Sequence, residues 1–271
     1  MKNLKGQLVL ITGAGRGIGR KMAHYFAREG SRLVLAATTM AGLEKVASEV
    51  EELGAEARPY TVDVSDREQV YAMAGEIKKD LGKVDVLVNN AGVVSGKPFL
   101  ECEDEQLERT LSVNVLGHFW TVKAFLPDMI EANHGHVVTM SSSAGWIGVN
   151  SLADYSASKF ANVGFDEALR MELRKKGVTG VKTTCVCPFF TNTGMFDGVK
   201  TRYSFLLPIL KEDEVAQRVV KAVKKGKTML KMPPFTHTIP LLRVLPTAVI
   251  DFLAVHLGVT SSMDEFRGRI H

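Results

Sequence analysis

The sequence contains few cysteines and few tryptophans. Its 271 residues include three cysteines and two tryptophans. Cys185 and Cys187 are separated by one residue, a spacing that fits neither a disulfide framework nor a zinc site. In an extended strand both side chains point to the same face, so we expect two buried core thiols. This cysteine usage suits a reducing compartment.

Long apolar runs are also missing. The run at residues 8–11 ends at a glycine turn, which predicts a first strand rather than a signal peptide. The run at residues 244–259 is interrupted by Pro246, Asp251 and His256, whereas a membrane span needs about 20 consecutive apolar residues. We therefore expect no transmembrane segment and a cytoplasmic protein.

Dense clusters of one charge sign are absent from the sequence. The chain has 34 Lys and Arg residues against 30 Asp and Glu residues, a formal net charge of +4. This excess is small, and no basic run with interleaved aromatics occurs, so we do not expect nucleic-acid binding.

His134 and His136 resemble a metal pair, but no third ligand accompanies them. We expect a solvated turn there and no metal site.

Strand-like and helix-like segments alternate along most of the chain. Apolar runs such as residues 84–88 are typical of strands buried on both faces of a parallel sheet. The alternation predicts an α/β fold with a parallel sheet covered by helices on both faces. The strand candidates are residues 7–12, 32–37, 57–62, 84–88, 135–141 and 179–187. The helix candidates are residues 17–29, 41–53, 67–81, 104–132 and 154–176.

This alternation ends after Pro188, within what we interpret as a single domain over residues 1–271. Residues 189–232 are predicted to form a substrate loop and helix, and residues 233–271 an apolar C-terminal extension. Aromatic side chains crowd the loop, which suits a lipid-like ligand, although a self-packing loop core is the alternative. The extension mixes apolar and basic residues. It is predicted to cap the substrate, to contact a membrane surface or to form a dimer contact.

A glycine-rich turn joins the first predicted strand to the first predicted helix. Glycines there allow a tight turn and a close approach to a pyrophosphate, while the helix N-terminus attracts the anion. The strict dinucleotide pattern fails because Ile18 stands where its third glycine would fall. A turn that serves packing alone is the alternative. The candidate cofactor residues in this turn are Gly13, Gly15, Arg16, Gly17, Ile18 and Gly19.

No carboxylate follows the second predicted strand. An acid in that place usually binds the ribose 2′-hydroxyl of NAD. Its absence favours NADP(H), with Arg16 supplying positive charge and Thr38 a hydroxyl group, and leaves NAD(H) as the alternative. Arg16 is otherwise a solvated surface residue. After the third strand, Asp63 is predicted to accept a hydrogen bond from the adenine amino group or to cap the following helix.

Tyr155 and Lys159 are four residues apart at the start of a predicted helix, so both project from one face. An ammonium group near a phenol favours the phenolate and is expected to lower the phenol pKa from about 10. Ser142 follows a predicted strand, where its hydroxyl can reach a substrate oxygen beside the tyrosine. On its own this helical pair is more often a solvated face than a catalytic one.

Four motifs occur in a characteristic order along the chain. They are Thr12-Gly13-x-x-x-Gly17-x-Gly19, Asn89-Asn90-Ala91-Gly92, the serine cluster at 141–143 and Tyr155-Ser156-Ala157-Ser158-Lys159. Together they resemble the short-chain dehydrogenase/reductase family across nearly the whole chain. The resemblance implies a Rossmann-like, doubly wound parallel sheet and an NAD(P)-dependent oxidoreductase that acts on CH–OH groups.

The resemblance also implies a catalytic tetrad of Asn114, Ser142, Tyr155 and Lys159. Ser142 is chosen over its neighbours because the family places this serine thirteen residues before the tyrosine. The matching asparagine of the family holds a water in a proton relay to the lysine. The remaining cofactor contacts that the resemblance implies are Val64, Asn90, Ala91, Gly92, Pro188, Thr191 and Thr193.

Three further segments resemble the retinol dehydrogenase and 17-beta-hydroxysteroid dehydrogenase branch of this family: residues 117–127, 180–185 and 192–195. This implies a lipophilic retinoid, steroid or related alcohol as substrate. It also implies a homodimer or homotetramer built on the two long helices. The sequence departs from the family at Phe189, which replaces the usual glycine after Pro188.

Two alternative functions stay open at this point. A 3-ketoacyl thioester reductase would use the same chemistry, although the aromatic loop and the C-terminal extension are larger than that reaction needs. A non-catalytic NADP(H)-binding regulator would need only the cofactor site. The complete tetrad argues against the regulator, because a protein that only binds need not keep a proton relay.

Overall fold

A computed structural model describes residues 2–268 of the chain. Within this range, seven parallel strands form one sheet in the order β3-β2-β1-β4-β5-β6-β7. The strands are β1 Leu8–Thr12, β2 Arg32–Ala37, β3 Ala57–Thr61, β4 Val86–Asn89, β5 Gly135–Met140, β6 Val181–Pro188 and β7 Met229–Met232. The helices are α1 Gly17–Arg28, α2 Met40–Glu51, α3 Arg67–Asp80, α4 Asp104–Leu111, α5 Gly117–Glu131, α6 Ala153–Lys175, α7 Glu212–Lys225, α8 Ile239–Leu242 and α9 Thr247–His256.

Apolar side chains alternate between the two faces of the sheet along β1. Val9 and Ile11 pack into the layer that also contains residues of α1, α2 and α7. Leu8 and Leu10 pack into the opposite layer, with residues of α3, α5 and α6. Both layers are buried, which explains why the strands are continuous apolar runs. The predicted doubly wound parallel sheet is confirmed.

The order of the strands reverses beside β1. This strand pairs with β2 on one side and with β4 on the other. In open parallel sheets, ligands bind outside the carboxyl ends of the strands at such a switch point. The segments that follow β1, β2, β3, β4, β5 and β6 therefore converge on one crevice.

Two elements differ from the sequence prediction. The helix predicted over residues 104–132 is divided into α4, a π-helical turn at Ser112–Leu116, and α5. The strand β7 was not predicted, because it is only four residues long and a lysine interrupts its apolar pattern. Its pairing with β6 extends the sheet beyond the crevice.

His136 does not lie in the solvated turn that the sequence suggested. It is a buried residue of β5, and its Nε2 lies 2.7 Å from the Thr184 hydroxyl. Because that hydroxyl donates its hydrogen to the Lys227 carbonyl, His136 Nε2 must carry the proton that Thr184 accepts. Burial lowers the pKa of His136 to about 3, so the ring is neutral. Residues 2–268 contain no group of three or more His, Cys, Asp or Glu side chains that could hold a metal ion.

Cys185 and Cys187 are the expected core thiols. Both are buried on β6 with their Sγ atoms 3.8 Å apart, and neither forms a disulfide. The indole Nε1 of Trp146 lies 3.4 Å from Cys187 Sγ and donates to it. The two thiols are therefore part of the hydrophobic core on one face of β6, where Trp146 packs against them.

The segment after β7 runs back over the carboxyl edge of the sheet. A 3-10 turn at Pro234–Thr238 leads into α8 and then α9. No helix in the described part of the chain is both long enough and apolar enough to cross a membrane.

Candidate active site

A cavity of about 630 Å³ lies at the carboxyl edge of the sheet. One half is lined by the glycine turn after β1 and by the segments after β2, β3 and β4. The other half is lined by apolar residues after β6 and by α8 and α9. Tyr155 contacts residues of both sets, since Lys159 Nζ lies 5.3 Å from its ring centroid and the Phe196 ring meets it edge-on at 5.6 Å. The arrangement places a polar cleft and an apolar chamber on either side of one phenol.

The polar half gathers nearly all of the predicted cofactor residues. Gly19 is the exception: it is buried beneath the cleft, where an added Cβ would overlap the Gly13 carbonyl and approach Asn90 Nδ2 to 2.7 Å. Gly19 therefore lets α1 pack closely on the turn and does not line the cleft. The predicted residues that do line it are Gly13, Gly15, Arg16, Gly17, Ile18, Thr38, Asp63, Val64, Asn90, Ala91, Gly92, Tyr155, Lys159, Pro188, Thr191 and Thr193.

Asn90 and Thr12 hold the end of β4 against the end of β1. The Asn90 amide nitrogen Nδ2 donates to the carbonyls of Thr12 and Gly13 at 2.9 and 3.2 Å. The Thr12 hydroxyl accepts from the backbone amides of Asn90 and Ala91 at 2.9 and 3.0 Å. These bonds fix the floor of the cleft at the switch point.

The end of β2 presents no carboxylate to the cleft. Arg16 and Thr38 are both exposed there, and Arg16 takes part in no ion pair with the described residues. Arg20, one turn further along α1, is instead paired with Glu49. Arg16 is therefore a cation available to an anionic ligand.

Asp63 does not cap the helix that follows it. The N-cap of α3 is Asp66, whose side chain accepts from two backbone amides. The Asp63 carboxylate accepts from the Ser65 amide and hydroxyl, and from Arg109 Nη1 at 2.8 Å. Although burial raises its pKa, these hydrogen bonds from Ser65 and Arg109 outweigh burial and lower the pKa of Asp63. An ionised acceptor thus faces the cleft where an adenine amino group is expected.

Tyr155 and Lys159 project from one face of α6 and are both buried. The Lys159 Nζ lies 5.3 Å from the centroid of the phenol ring and donates to the Met140 carbonyl at 2.9 Å. Ser142 is half-buried at the end of β5, close enough to the phenol for its hydroxyl to lower the Tyr155 pKa. The three predicted side chains therefore converge.

The expected lowering of the phenol pKa by Lys159 is not found in the chain alone. Burial raises the pKa of Tyr155 to about 12, and the Ser142 hydroxyl offsets this only in part. Burial also lowers the pKa of Lys159, to about 8. Desolvation acts against the charged form of each group and is the largest effect on both pKa values.

Asn114 lies behind the tyrosine and lysine, in the π-helical turn between α4 and α5. Its side-chain oxygen accepts from the Val93 amide at 2.8 Å, and its Nδ2 donates to the Val93 carbonyl at 2.9 Å. The same Nδ2 lies 3.0 Å from Ser158 Oγ. The side chain is thus fully engaged in positioning the loop after β4 and the start of α6.

The comparisons with known proteins agree with this geometry. Residues 7–204 match the family model described as short chain dehydrogenase. The chain belongs to the short-chain dehydrogenase family. It is 47% identical over 267 residues to epidermal retinol dehydrogenase 2 of Homo sapiens, covering 98% of this chain and 86% of that protein. It is 43% identical over 259 residues to estradiol 17-beta-dehydrogenase 11 of Mus musculus, covering 95% of this chain and 86% of that protein.

Solved structures of short-chain dehydrogenases have the same fold as this chain. A short chain dehydrogenase/reductase from Burkholderia phymatum in complex with NAD superimposes with a TM-score of 0.80 at 30% identity, covering 93% of this chain and 97% of that chain. A metagenomic short-chain oxidoreductase in complex with NADP gives a TM-score of 0.70 at 30% identity, covering 84% and 96% of the two chains. This short-chain dehydrogenase is therefore an oxidoreductase that acts on CH–OH groups and uses a nicotinamide cofactor.

Several residues that line the cavity of this dehydrogenase belong to no motif in the sequence. Arg109 carries no signal in the sequence because it lies on α4, far from every cofactor motif, although it lines the cavity and forms an ion pair with Asp63. The individual apolar residues of the C-terminal extension were not singled out either, because no periodicity separates their inward and outward faces. The lining residues of that extension are Phe235, Ile239, Leu242, Ile250, Leu253, Ala254, Leu257, Gly258, Val259 and Ser262.

The departure at Phe189 leaves the backbone after β6 in an ordinary conformation. Among residues 2–268 the non-glycine residues with positive φ are Asn133 and Ser151, so Phe189 has a negative φ that any residue adopts. Its backbone amide donates to the Met232 carbonyl at 2.9 Å, which ties the segment to β7. The Phe189 side chain lines the cavity.

Proposed function

We propose that this short-chain dehydrogenase interconverts a lipophilic alcohol of the retinoid or steroid class with its carbonyl form. The observation that carries the proposal is the position of Tyr155, whose phenol stands between the polar cleft and an apolar chamber. Relatives at 47% and 43% identity are named for retinol and estradiol. The chamber, lined by Phe189, Phe190 and Leu253 among others, suits a ring or a polyene chain.

The residues of the chain divide the proton chemistry between them. In the direction of oxidation, the Tyr155 phenolate accepts the alcohol proton while the Ser142 hydroxyl orients the substrate oxygen. Lys159 provides positive charge beside the phenol, and Asn114 holds the adjoining loop and helix. When bound, the nicotinamide supplies the hydride acceptor or donor, and its oxidised form adds positive charge beside Tyr155. In the direction of reduction, the neutral phenol donates the proton.

We propose NADP(H) as the preferred cofactor. Arg16 and Thr38 would hold the 2′-phosphate, and the absence of an acid after β2 removes the group that would repel it. Asp63 and Val64 would border the adenine, while Asn90, Ala91 and Gly92 support the central part of the cleft. Pro188, Thr191 and Thr193 would lie beside the nicotinamide, and Lys159 would also hold its ribose.

The proposed reaction is tested by following nicotinamide absorbance with retinols, hydroxysteroids, simple secondary alcohols and a ketoacyl thioester. We expect turnover of an apolar alcohol, with a loss of about 100-fold or more in Tyr155→Phe because general acid–base catalysis contributes that much. Phe160→Ala on the same helix, whose ring is 36% exposed and does not line the cavity, is the matched control.

The outcomes of this assay separate the three candidate functions. Turnover of the ketoacyl thioester alone would replace the lipid alcohol with the thioester substrate. Tight binding of NADP(H) without turnover of any compound would favour a regulator. Equal activity in Tyr155→Phe and the unaltered protein would contradict the proposed role of the phenol.

We also propose that the C-terminal extension contacts a lipid surface. The helix α9 has no buried residue, although its sequence is largely apolar. Its outward side exposes Phe252 at 65% and Val255 at 58%, next to Val244 at 84%. Arg202 and Arg243 border this face, so anionic headgroups would be attracted to it.

A second copy of the chain is proposed to pack on the helices α4, α5 and α6. Large apolar side chains are exposed on this side of the molecule, among them Leu111, Leu116 and Met171. Packing two copies would remove this surface from water. Light scattering of the purified protein measures the molar mass and distinguishes the proposed homodimer or homotetramer from a monomer.

A further inference from the structure

The last described residues form a strap, residues 262–268, that lies against the loop at residues 195–200. The Lys200 amide donates to the Ser262 carbonyl at 3.2 Å, and the Arg267 amide donates to the Asp197 carbonyl at 2.9 Å. The side chains of Lys200 and Glu265 form an ion pair at 2.6 Å. The strap is thus held by backbone hydrogen bonds to the loop that carries Phe196.

A chain of aromatic contacts runs from the strap to the candidate catalytic tyrosine. The ring of Phe266 is 6.5 Å from that of Phe196. The ring of Phe196 meets Tyr155 edge-on at 5.6 Å and Phe190 at 5.2 Å. Phe196 lines the cavity, whereas Phe266 stands behind it. Phe196 is thus the aromatic contact through which Phe266 reaches the cavity wall.

Gly96, in the loop after β4, provides the seat for the Phe266 ring. A Cβ at this glycine would overlap the ring, and its φ of 69° is one that other residues rarely adopt. A second close approach occurs at Gly198, where a Cβ would overlap the Glu265 carbonyl. The strap thus rests on two positions that have space only because no side chain is present.

We propose that Phe266 is a positioning residue for the apolar substrate. By holding Phe196 edge-on to Tyr155, it fixes one wall of the chamber at the point where the alcohol carbon must lie beside the phenol. This inference rests on the proposed function. A loosened wall leaves cofactor binding intact but lets the substrate settle out of line with Tyr155, and small misplacements of reacting atoms are costly.

The test compares Phe266→Ala and Gly96→Ala with Gly54→Ala. Gly54 has a similar φ of 81° but nothing within 4 Å of an added Cβ, so it reports backbone strain without displacing the strap. We expect kcat/KM for an apolar alcohol to fall about tenfold in the first two variants and to stay within about twofold in the control. Kd for NADP⁺ and the thermal midpoint of Phe266→Ala should change little, and Phe266→Tyr should restore activity.

The double variant Gly96→Ala/Phe266→Ala separates displacement of the ring from other effects. Once the ring is gone, the added methyl group has nothing to displace, so the double variant should be no worse than Phe266→Ala alone. Additive losses would overturn the proposal, because they would mean that Gly96 acts independently of Phe266. Equal kcat/KM in the unaltered protein and Phe266→Ala would also overturn it.

A binding measurement distinguishes failure of this inference from failure of the proposed function. Retinol fluorescence gives Kd for an apolar alcohol without turnover. If the unaltered protein binds retinol but oxidises no alcohol, the proposed function fails. The role of Phe266 is then tested by the Kd for retinol, which should rise in Phe266→Ala and Gly96→Ala. An unchanged Kd would overturn the role of Phe266. If the unaltered protein neither binds nor oxidises an apolar alcohol, both proposals fail.

Discussion

Tyr155 and Lys159 show at the scale of single residues how burial acts on two unlike groups. Burial raises the pKa of the phenol to about 12 and lowers the pKa of the ammonium group to about 8. At neutral pH the phenol is therefore protonated, the state needed to donate a proton during reduction. Oxidation needs the opposite state, which requires further positive charge beside the phenol.

Arg16 allows a sharp test of cofactor preference at the same scale. Arg16→Ala should raise Kd for NADP⁺ about tenfold, because a charge-assisted hydrogen bond to a phosphate is lost, and should leave Kd for NAD⁺ nearly unchanged. Thr38→Asp should favour NAD⁺ further, since its carboxylate would repel the 2′-phosphate. Isothermal titration calorimetry with both cofactors measures these constants.

Arg20→Ala is the control for Arg16→Ala. Arg20 lies on the same helix, but it is paired with Glu49 and does not line the cleft. Similar losses of NADP⁺ affinity in both variants would show that Arg16 acts through general charge and not through the 2′-phosphate. Weaker NAD⁺ binding in Arg16→Ala would contradict the assigned contact.

The sequence predicted which side chains lie together at the candidate active site more completely than it predicted their pKa values. Spacing on a helix places Tyr155 and Lys159 on one face wherever that helix lies in the fold. Their pKa values depend on what covers them, and the burial of Tyr155 involves Phe190, Phe196 and Met263 from distant segments. No local pattern specifies those contacts.

At the level of helices and strands, hydrophobic periodicity was sufficient to predict the bounds of some elements but not of others. Strands β1 and β2 were predicted within one residue because both layers of the core require apolar side chains there. The π-helical turn that divides α4 from α5 was not predicted, since a π turn keeps a helical pattern while shifting its register. That shift accompanies the placement of Asn114 under the loop after β4.

The strand β5 gives a prediction for stability against pH. Burial lowers the pKa of His136 to about 3, and that of His118 on α5 to about 3, from about 6.5 when the chain is unfolded. Between these values each of the two histidines binds a proton in the unfolded chain but not in the folded one. The histidines therefore stabilise the fold fully above pH 6.5 and progressively less as the pH is lowered through this range, whereas Asp166, whose pKa burial raises to about 6, acts in the opposite direction below that pH.

Urea unfolding at several pH values between 7 and 5 measures this slope. His136→Phe should flatten it, because one of the two buried imidazoles no longer titrates on unfolding. His134→Asn, which alters an exposed neighbour, should leave the slope as it is. An unchanged slope in His136→Phe would show that His136 is not the group responsible.

At the scale of the whole molecule, the apolar C-terminal extension has one side that faces the cavity and one side that faces solvent. Its inward side lines the cavity, and its outward side forms the proposed lipid contact around Val244, Phe252 and Val255. The sequence indicated an apolar segment beyond the parallel sheet. It did not separate the two sides, because α9 is apolar over most of its circumference and only tertiary contacts assign a direction.

Sedimentation with vesicles tests the outward side. We expect the protein to pellet with vesicles that contain anionic phosphatidylserine more than with neutral phosphatidylcholine vesicles, and binding to weaken with salt. Val244→Glu/Phe252→Glu should abolish pelleting and leave turnover of a small water-soluble alcohol unchanged. Leu53→Glu, an exposed apolar residue in the turn after α2, is the matched control. Equal pelleting of both variants would contradict the assigned face.

Because α9 has a cavity side and an exposed side, substitutions on the two sides should affect different steps in the use of a lipophilic substrate. A lipophilic alcohol is supplied either from water, where its concentration is minute, or from a bilayer into which it has partitioned. Substitutions on the outward side would change delivery of the compound, and substitutions on the inward side would change its conversion. The same set of variants should therefore rank differently when the substrate is dispersed in detergent and when it is dissolved in vesicles.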